Sequence, residues 1–310
     1  MYMLRIGLIG SGYLIEKHIK SLQSLSDYKF ICFFDTHQNK STNIPKNHLP
    51  LKVNSLEELL NKIDVVYILN LPEQTRIELI VKSLKSSKHL LIDKSNIKTA
   101  AEARKLLELS EEAGVKVQIS NISYFTPLFI SAKNYISCPT YIEAITHIHY
   151  KNKSADAIFD LLCDDICLII NTVKSNLKRI STVGIDVINS SPELIHVKLE
   201  FDNGCIANIT INTIAEDDKK TIRFFENNSA ILLDFLDNNI SLLTHNESSN
   251  ITQKQNITLL KTSEVEQEFS ELYLGVMQQK QIAIDLHTMY KIIDITFKIS
   301  EKLKINFSLT

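Results

Sequence analysis

The sequence predicts a two-domain α/β chain: a doubly wound parallel sheet over residues 1–121, then an α+β domain over 122–310 with an open, mainly antiparallel sheet. Three observations predict it. Up to about residue 121, short apolar runs alternate with amphipathic segments, the rhythm of strand, helix, strand. A Gly10-Ser11-Gly12 turn sits where the first run gives way to the first amphipathic segment. Beyond about residue 122 the period shortens to two and strand follows strand. A length of 310 residues is too great for one ordinary core and suits two.

In order, LRIGLIG is a buried strand and LIEKHIKSLQSL an amphipathic helix; KFICFFD is a second strand, and SLEELLNK a helix with Ser55 as its N-cap. DVVYILN, the helix TRIELIVKSLKS and HLLID follow as strand, helix and strand. TAAEARKLLELSEEAG is a helix stopped by Gly114, and VKVQIS a further strand. Apolar strands separated by helices imply a parallel sheet covered on both faces. In the second domain YIEAITHIHY alternates like an antiparallel strand, and a helix follows over 157–174. RISTVGIDVI, ELIHVKLEF, CIANITINTI, TIRFFE, AILLDFL and ISLLT are further strands, with a turn at Asp202–Gly204. NESSNITQKQN reads as an exposed loop. The last 40 or so residues return to helix, and this C-terminal helix is expected to pack back on the first domain.

A formal charge of -2, with Lys and Arg spread along the chain, argues against a nucleic-acid partner. There is no apolar run of about 18 residues for a membrane span, and a strand pattern begins too early for a signal peptide. Five cysteines without a CxxC pair suit reduced thiols, so a cytoplasmic setting is expected.

The glycine turn is the first candidate site. Gly10 permits the tight turn, and Gly12 lets the backbone approach a pyrophosphate resting on the helix N-terminus. A third glycine, which lets the helix pack closely on the strand, is replaced by Ile15; this pushes the helix outward a little without blocking the phosphate path. Asp35 closes the second strand 25 positions after Gly10, where a carboxylate grips ribose hydroxyls, and its charge favours NAD over NADP. Ser11, Tyr13 and Leu14 in the turn, Asn70 and Pro72 after the third strand, and Asp93 and Lys94 after the fourth complete the expected cofactor-facing set.

The second candidate is IFDLLCDDICLII, residues 158–170. Asp160 and Asp164, four apart, share a helix face in an otherwise apolar and therefore buried run. Carboxylates there need a cation, a donor or a proton, and Lys94 from the first domain is the expected cation. Cys163 and Cys167 read as core. A metal site on Asp160, Asp164 and Asp165 fits badly, because adjacent positions face apart on a helix and no histidine lies close in sequence.

Several segments together resemble the glucose-fructose oxidoreductase, inositol dehydrogenase and MocA (Gfo/Idh/MocA) family, nearly end to end. IGLIGSGYLIEKHIKSL, with His18, is similar to its cofactor turn. The family's Glu-Lys-Pro signature here reads Asp93-Lys94-Ser95, and its Arg-Phe-x-Pro stretch reads Tyr124-Phe125-Thr126-Pro127. FDLLCDDICLIINTV resembles its Asp-x-x-x-His-Asp-x-Asp helix: Asp160 keeps the aspartate, Asp164 replaces the histidine, Asp165 stays and Cys167 replaces an acid. Residues 176–235 look most like the branch containing UDP-N-acetylglucosamine 3-dehydrogenase. The resemblance implies a Rossmann domain, a substrate domain with an open sheet, and homodimers or homotetramers built through that sheet. Its departures, Ile15, Arg76 (often histidine), Ser95, Tyr124 and Asp164, fall near the reaction centre.

The implied activity is hydride transfer between NAD and a secondary alcohol of a sugar or nucleotide sugar, with Lys94, Asp164 and Asp160 catalytic and Tyr124 and Asp165 toward substrate. Such a reaction needs a base for the hydroxyl proton and a cation for the developing alkoxide. Asp164 in the histidine's place, or Lys94 with a pKa lowered by burial, would be the base. The alternative is a degenerate member that binds NAD or a partner without turnover.

Overall fold

The computed structural model describes residues 2–36, 51–149, 155–188, 192–246 and 250–303. The described residues form two compact units: one reaches Asn121 and also takes in Ser263–Lys291, and the other holds Ile122–Thr262 and continues from Ile292.

The first unit carries a six-stranded sheet, all pairs parallel, ordered β3-β2-β1-β4-β5-β6. Its strands are β1 (Leu4–Gly10), β2 (Tyr28–Asp35), β3 (Leu51–Val53), β4 (Val65–Ile68), β5 (His89–Asp93) and β6 (Val117–Ser120). This order reverses direction at β1/β4, the point outside which doubly wound sheets bind ligands. Helices α1 (Gly12–Gln23), α2 (Leu56–Leu60), α3 (Glu73–Lys85) and α4 (Ala100–Glu112) make the crossovers. Ser55 caps α2, and Thr99 with Glu102 forms a reciprocal capping box on α4. Gly114 stops that helix at φ +65°, where a side chain would be strained. The three-residue β3 is absent from the sequence expectation.

The C-terminal expectation changes in detail. The segment that belongs to the first unit is α8 (Glu264–Gln278) with the start of α9 (Leu286–Leu303). Phe269, Leu272 and Tyr273 on α8 fill an apolar cluster with Ile6, Leu8, Ile15, Tyr28 and Tyr67. Burying each large side chain contributes about 1.5–3 kcal/mol. Tyr28 donates to the Phe269 carbonyl at 3.0 Å, and the Ile119 amide on edge strand β6 donates to the Ile284 carbonyl at 2.7 Å. Gly275 permits this return, since a Cβ there would stand 2.8 Å from Ile282 Cγ1.

The second unit opens with the short helices α5 (Ile122–Phe125) and α6 (Pro127–Lys133), neither expected from sequence. Its eight-stranded sheet runs β14-β13-β12-β11-β7-β10-β9-β8. The strands are β7 (Tyr141–His149), β8 (Leu177–Ile185), β9 (Leu194–Phe201), β10 (Ile206–Ala215), β11 (Lys219–Glu226), β12 (Ser229–Asp234), β13 (Asn239–Asn246) and β14 (Ile251–Ile257). All pairs are antiparallel except β7–β10. The expected loop near residue 250 is in part β14, an edge strand that is exposed along nearly all its length; residues 247–249 lie outside the described residues. Helix α7 (Ala155–Thr172) buries Ile158, Leu162, Ile166 and Ile169. Cys163 Sγ lies 3.5 Å from Thr296 Oγ1, so this thiol is a core group.

Candidate active site

In the first unit the cofactor face is built where β1 turns into α1. A Cβ at Gly10 would stand 2.8 Å from Leu69 Cδ1 and 3.1 Å from Leu69 Cβ, so the Leu69 side chain just beyond β4 packs against the bare glycine. Ser11 is the extended N-cap residue of α1, its hydroxyl makes no capping bond, and no acid stands in the first turn. The positive end of α1 is therefore available to an anionic group. Gly12 and Tyr13 are described by their helical backbone alone, and half-buried Leu14 donates its amide to the Ser11 carbonyl at 3.0 Å.

Ile15 resolves the missing third glycine. Its side chain is 0% exposed and lies in the cluster shared with α8. The isoleucine is thus core, turned away from the solvent side of the turn. Asp35 at the end of β2 is 2% exposed, and Lys52 Nζ from β3 stands 3.8 Å from its carboxylate. The Thr36 amide and hydroxyl both bond the Gly10 carbonyl, at 2.9 and 3.1 Å, tying the two strand ends together.

At the ends of β4 and β5 the residue that organises the loops is Asn96. Fully buried, it donates through Nδ2 to the Leu69 carbonyl at 2.9 Å and accepts the Leu71 amide at 3.0 Å. This fixes the loop that carries exposed Asn70 and half-buried Pro72, the N-cap residue of α3. Arg76 is turned inward: it donates to the Asn96 carbonyl at 2.8 Å and pairs with Glu73 at 2.6 Å and Glu102 at 2.7 Å. Hydrogen bonds from Arg76, then Lys98, hold Glu73 down to about 2. Asp93 accepts the amide (2.9 Å) and hydroxyl (2.6 Å) of Ser95, closing a single 3-10 turn over Lys94–Asn96 that presents half-buried Lys94.

Sequence reasoning missed Glu268. It is 5% exposed, and burial, joined by the nearby charge of Asp93, pushes its carboxyl up to about 8 against bonds from Ser120 and the Asn121 amide. Its Oε1 has no hydrogen-bond partner among the described residues. Nothing in an amphipathic helix pattern flags one glutamate as inward-facing.

In the second unit, Asp164 on α7 accepts the Ser123 hydroxyl at 3.1 Å. Lys220 Nζ, from β11, stands 3.9 Å from the same carboxylate oxygen and donates to Ser123 Oγ at 3.3 Å. Lys220 thus puts a cation beside Asp164 from within the same unit. The aspartates of α7 separate: Asp160 is exposed and Asp165 is 4% exposed. Tyr124, expected toward substrate, is 0% exposed, packed on the rings of Phe125 and Phe129, and its hydroxyl accepts from Lys133. That tyrosine is a core residue, because the apolar α5–α6 corner closes over it. Among the described residues no cluster of three or more His, Cys, Asp or Glu is placed to hold a metal.

Residues 4–121 match the oxidoreductase family described by its NAD-binding Rossmann fold. This segment is a Gfo/Idh/MocA-family domain. An uncharacterized protein of Saccharomyces cerevisiae is 26% identical over 156 residues, 47% of this chain, and the match spans only 44% of that protein. UDP-N-acetylglucosamine 3-dehydrogenase GnnA from Acidithiobacillus ferrooxidans superposes at TM-score 0.84 over 97% of this chain and 98% of that one, at 19% identity. An oxidoreductase from Desulfitobacterium hafniense, named as NADPH-dependent, gives 0.82 at 15% identity over 97% and 96%. Levoglucosan dehydrogenase, in complex with NADH and L-sorbose, gives 0.78 at 12% identity over 98% and 97%. Likeness at these identities shows the shared two-part fold. The features that fit a dinucleotide are an uncapped helix N-terminus, a glycine packed against the Leu69 side chain and a buried carboxylate at the end of β2.

Proposed function

We propose that the protein is a dehydrogenase that moves hydride between a nicotinamide dinucleotide, NAD in preference to NADP, and a secondary alcohol of a sugar or nucleotide sugar. The observation that carries this is Ile15: its side chain is buried in the core and so does not itself stand in the phosphate path of the turn. Gly10, Ser11, Gly12, Tyr13, Leu14, Asn70, Pro72 and Asp93 would line the dinucleotide, and Asp35 would take the ribose hydroxyls. When bound, the nicotinamide supplies the hydride acceptor or donor. Lys94 exchanges the hydroxyl proton, because Asp164 is already committed to Ser123 and Lys220. Asp164 and Asp160 then serve to orient the polyol. Five free thiols suit a cytoplasmic setting, and a homodimer or homotetramer through the eight-stranded sheet is the proposed assembly.

Quenching and energy-transfer titrations with NADH and NADPH test the cofactor face; NADH should bind the tighter. Cofactor reduction is then recorded with UDP-N-acetylglucosamine and a panel of sugars and sugar nucleotides. Lys94→Ala should lower kcat at least about 100-fold. Cofactor binding without reduction by any member of the panel would replace this proposal with a non-catalytic role.

A further inference from the structure

The outer edge of the eight-stranded sheet carries a cleft whose charged groups all have one sign. Strand β8 is the terminal strand of that sheet, and the end of α9 belongs to the same unit. Between them is a space of about 590 Å³. Its lining includes Lys178 and Arg179 from β8, Lys298 and Lys302 from α9, and the hydroxyl residues Ser181 and Thr182; among the described residues no acid lines it. Local structure gathers these cations. Leu177 pairs with Phe201 and Arg179 with Glu200, so Lys178 is an extra residue, a β-bulge in the edge strand. A bulge bends its strand and re-aims the side chains at it. Lys178 and Arg179 therefore both line the cleft, where a regular strand would send neighbours to opposite faces. On α9, Lys298 and Lys302 are four apart and share a face, an arrangement of like charges that is unfavourable until an anion offsets it. Lys302 donates to the Ile180 carbonyl at 2.7 Å, which anchors its head in the cleft wall with two N–H groups to spare. Asp294 offsets one of the four charges, 2.6 Å from Lys298, while Glu200, cross-strand from Arg179, pairs with Lys198 at 2.8 Å. A concave wall left with this excess concentrates a counter-ion.

We propose that this cleft is a binding site for a small phosphate-rich anion, one that carries two linked phosphates. Its volume lies within the range of small-molecule sites, roughly 300–1,000 Å³. A guanidinium fork, ammonium groups and hydroxyls are the donors that phosphate oxygens accept from. Among the described residues no aromatic side chain lines the cleft to stack a base, so recognition is of the phosphates. The site goes beyond the dehydrogenase reading and stands or falls apart from it, since none of its residues is assigned above to cofactor or sugar.

Lysine reactivity, read site by site on the full-length protein, tests this. Lysines are acetylated with acetic anhydride across a concentration series of inorganic pyrophosphate, and each site is quantified by mass spectrometry. Lys178, Lys298 and Lys302 should be protected at least several-fold, with exposed Lys105 and Lys254 unchanged. In the double variant K178A/R179A, the concentration that half-protects Lys298 and Lys302 should rise at least about 10-fold. Parallel series with ADP and UDP distinguish the sources of the phosphates. Protection at lower concentration than pyrophosphate assigns a nucleoside diphosphate, and protection at equal or higher concentration assigns the phosphate chain alone. Wild-type protein in which pyrophosphate leaves the three lysines unprotected overturns the proposal, whether or not the variant folds. So does equal protection by sodium chloride at the same ionic strength, which is screening alone, and so does unchanged half-protection in the folded variant. Protection by a single-stranded oligonucleotide but not by pyrophosphate replaces the small anion with a nucleic acid.

Discussion

At the residue scale, the substitution that looked most damaging to a cofactor turn is a packing residue. Restoring glycine with Ile15→Gly should destabilise the protein by about 3–5 kcal/mol, from a lost core side chain and a helical glycine, with no gain in NADH affinity. Denaturant unfolding and the NADH titration check the two halves of that expectation. Glu268 gives a pH prediction. Its carboxyl is raised from an ordinary 4.5 to about 8 when folded. Below 4.5 it is neutral in both states and stability is unaffected. As pH rises from 4.5 toward 8 the unfolded chain ionises while the folded one resists, so stability falls, and above 8 the loss is complete. Glu268→Gln mimics the neutral acid, so it should remove this fall and raise the melting temperature at pH 8 relative to wild type. Equal melting curves for the two proteins across pH 5–8.5 would mean the carboxyl is not held neutral.

At the element scale, Arg76 decides how α3, α4 and the Lys94 turn meet. Arg76→Met removes the guanidinium bonds to Glu102 and the Asn96 carbonyl, leaving Glu102 only its backbone donors from Lys98 and Thr99, and should cost about 2–4 kcal/mol, read as a lower denaturant midpoint. The elements themselves were legible wherever one side of a strand or helix is buried, because that is what writes period into sequence. The three-residue β3 and the four-residue α5 are too short to show a period. Strand β14 shows none for another reason: residues 251–256 are exposed on both faces, and it is held by backbone pairing to β13 and two side-chain hydrogen bonds, Ser241–Asn256 and His245–Thr252, with no buried side. The candidate site was legible where chemistry is local, in the glycine turn, Asp35 and Asp93-Lys94. Lys220 was invisible: it stands 97 positions from Ser123, and only strand register brings the two together.

At the scale of the whole molecule, self-association is the untested expectation, and sedimentation equilibrium checks it. Two or four times the chain mass of 35.3 kDa is expected, and a single copy at micromolar concentration would be a contrary result. Edge strand β8 already exposes Val183 and Ile185 at 58% and 48%, an apolar margin that a neighbour would cover. The return of α8 to the first unit reaches beyond stability. Phe269 and Tyr273 close the cluster around Tyr28 and Ile15, so the ribosome must deliver most of the polypeptide before the N-terminal core is complete. At roughly 5–20 residues per second the nascent N-terminal segment waits about 8–30 s for α8 with an open apolar socket. A cell that makes this protein must shelter that socket during translation, and an expression vector ending at residue 121 should yield aggregate.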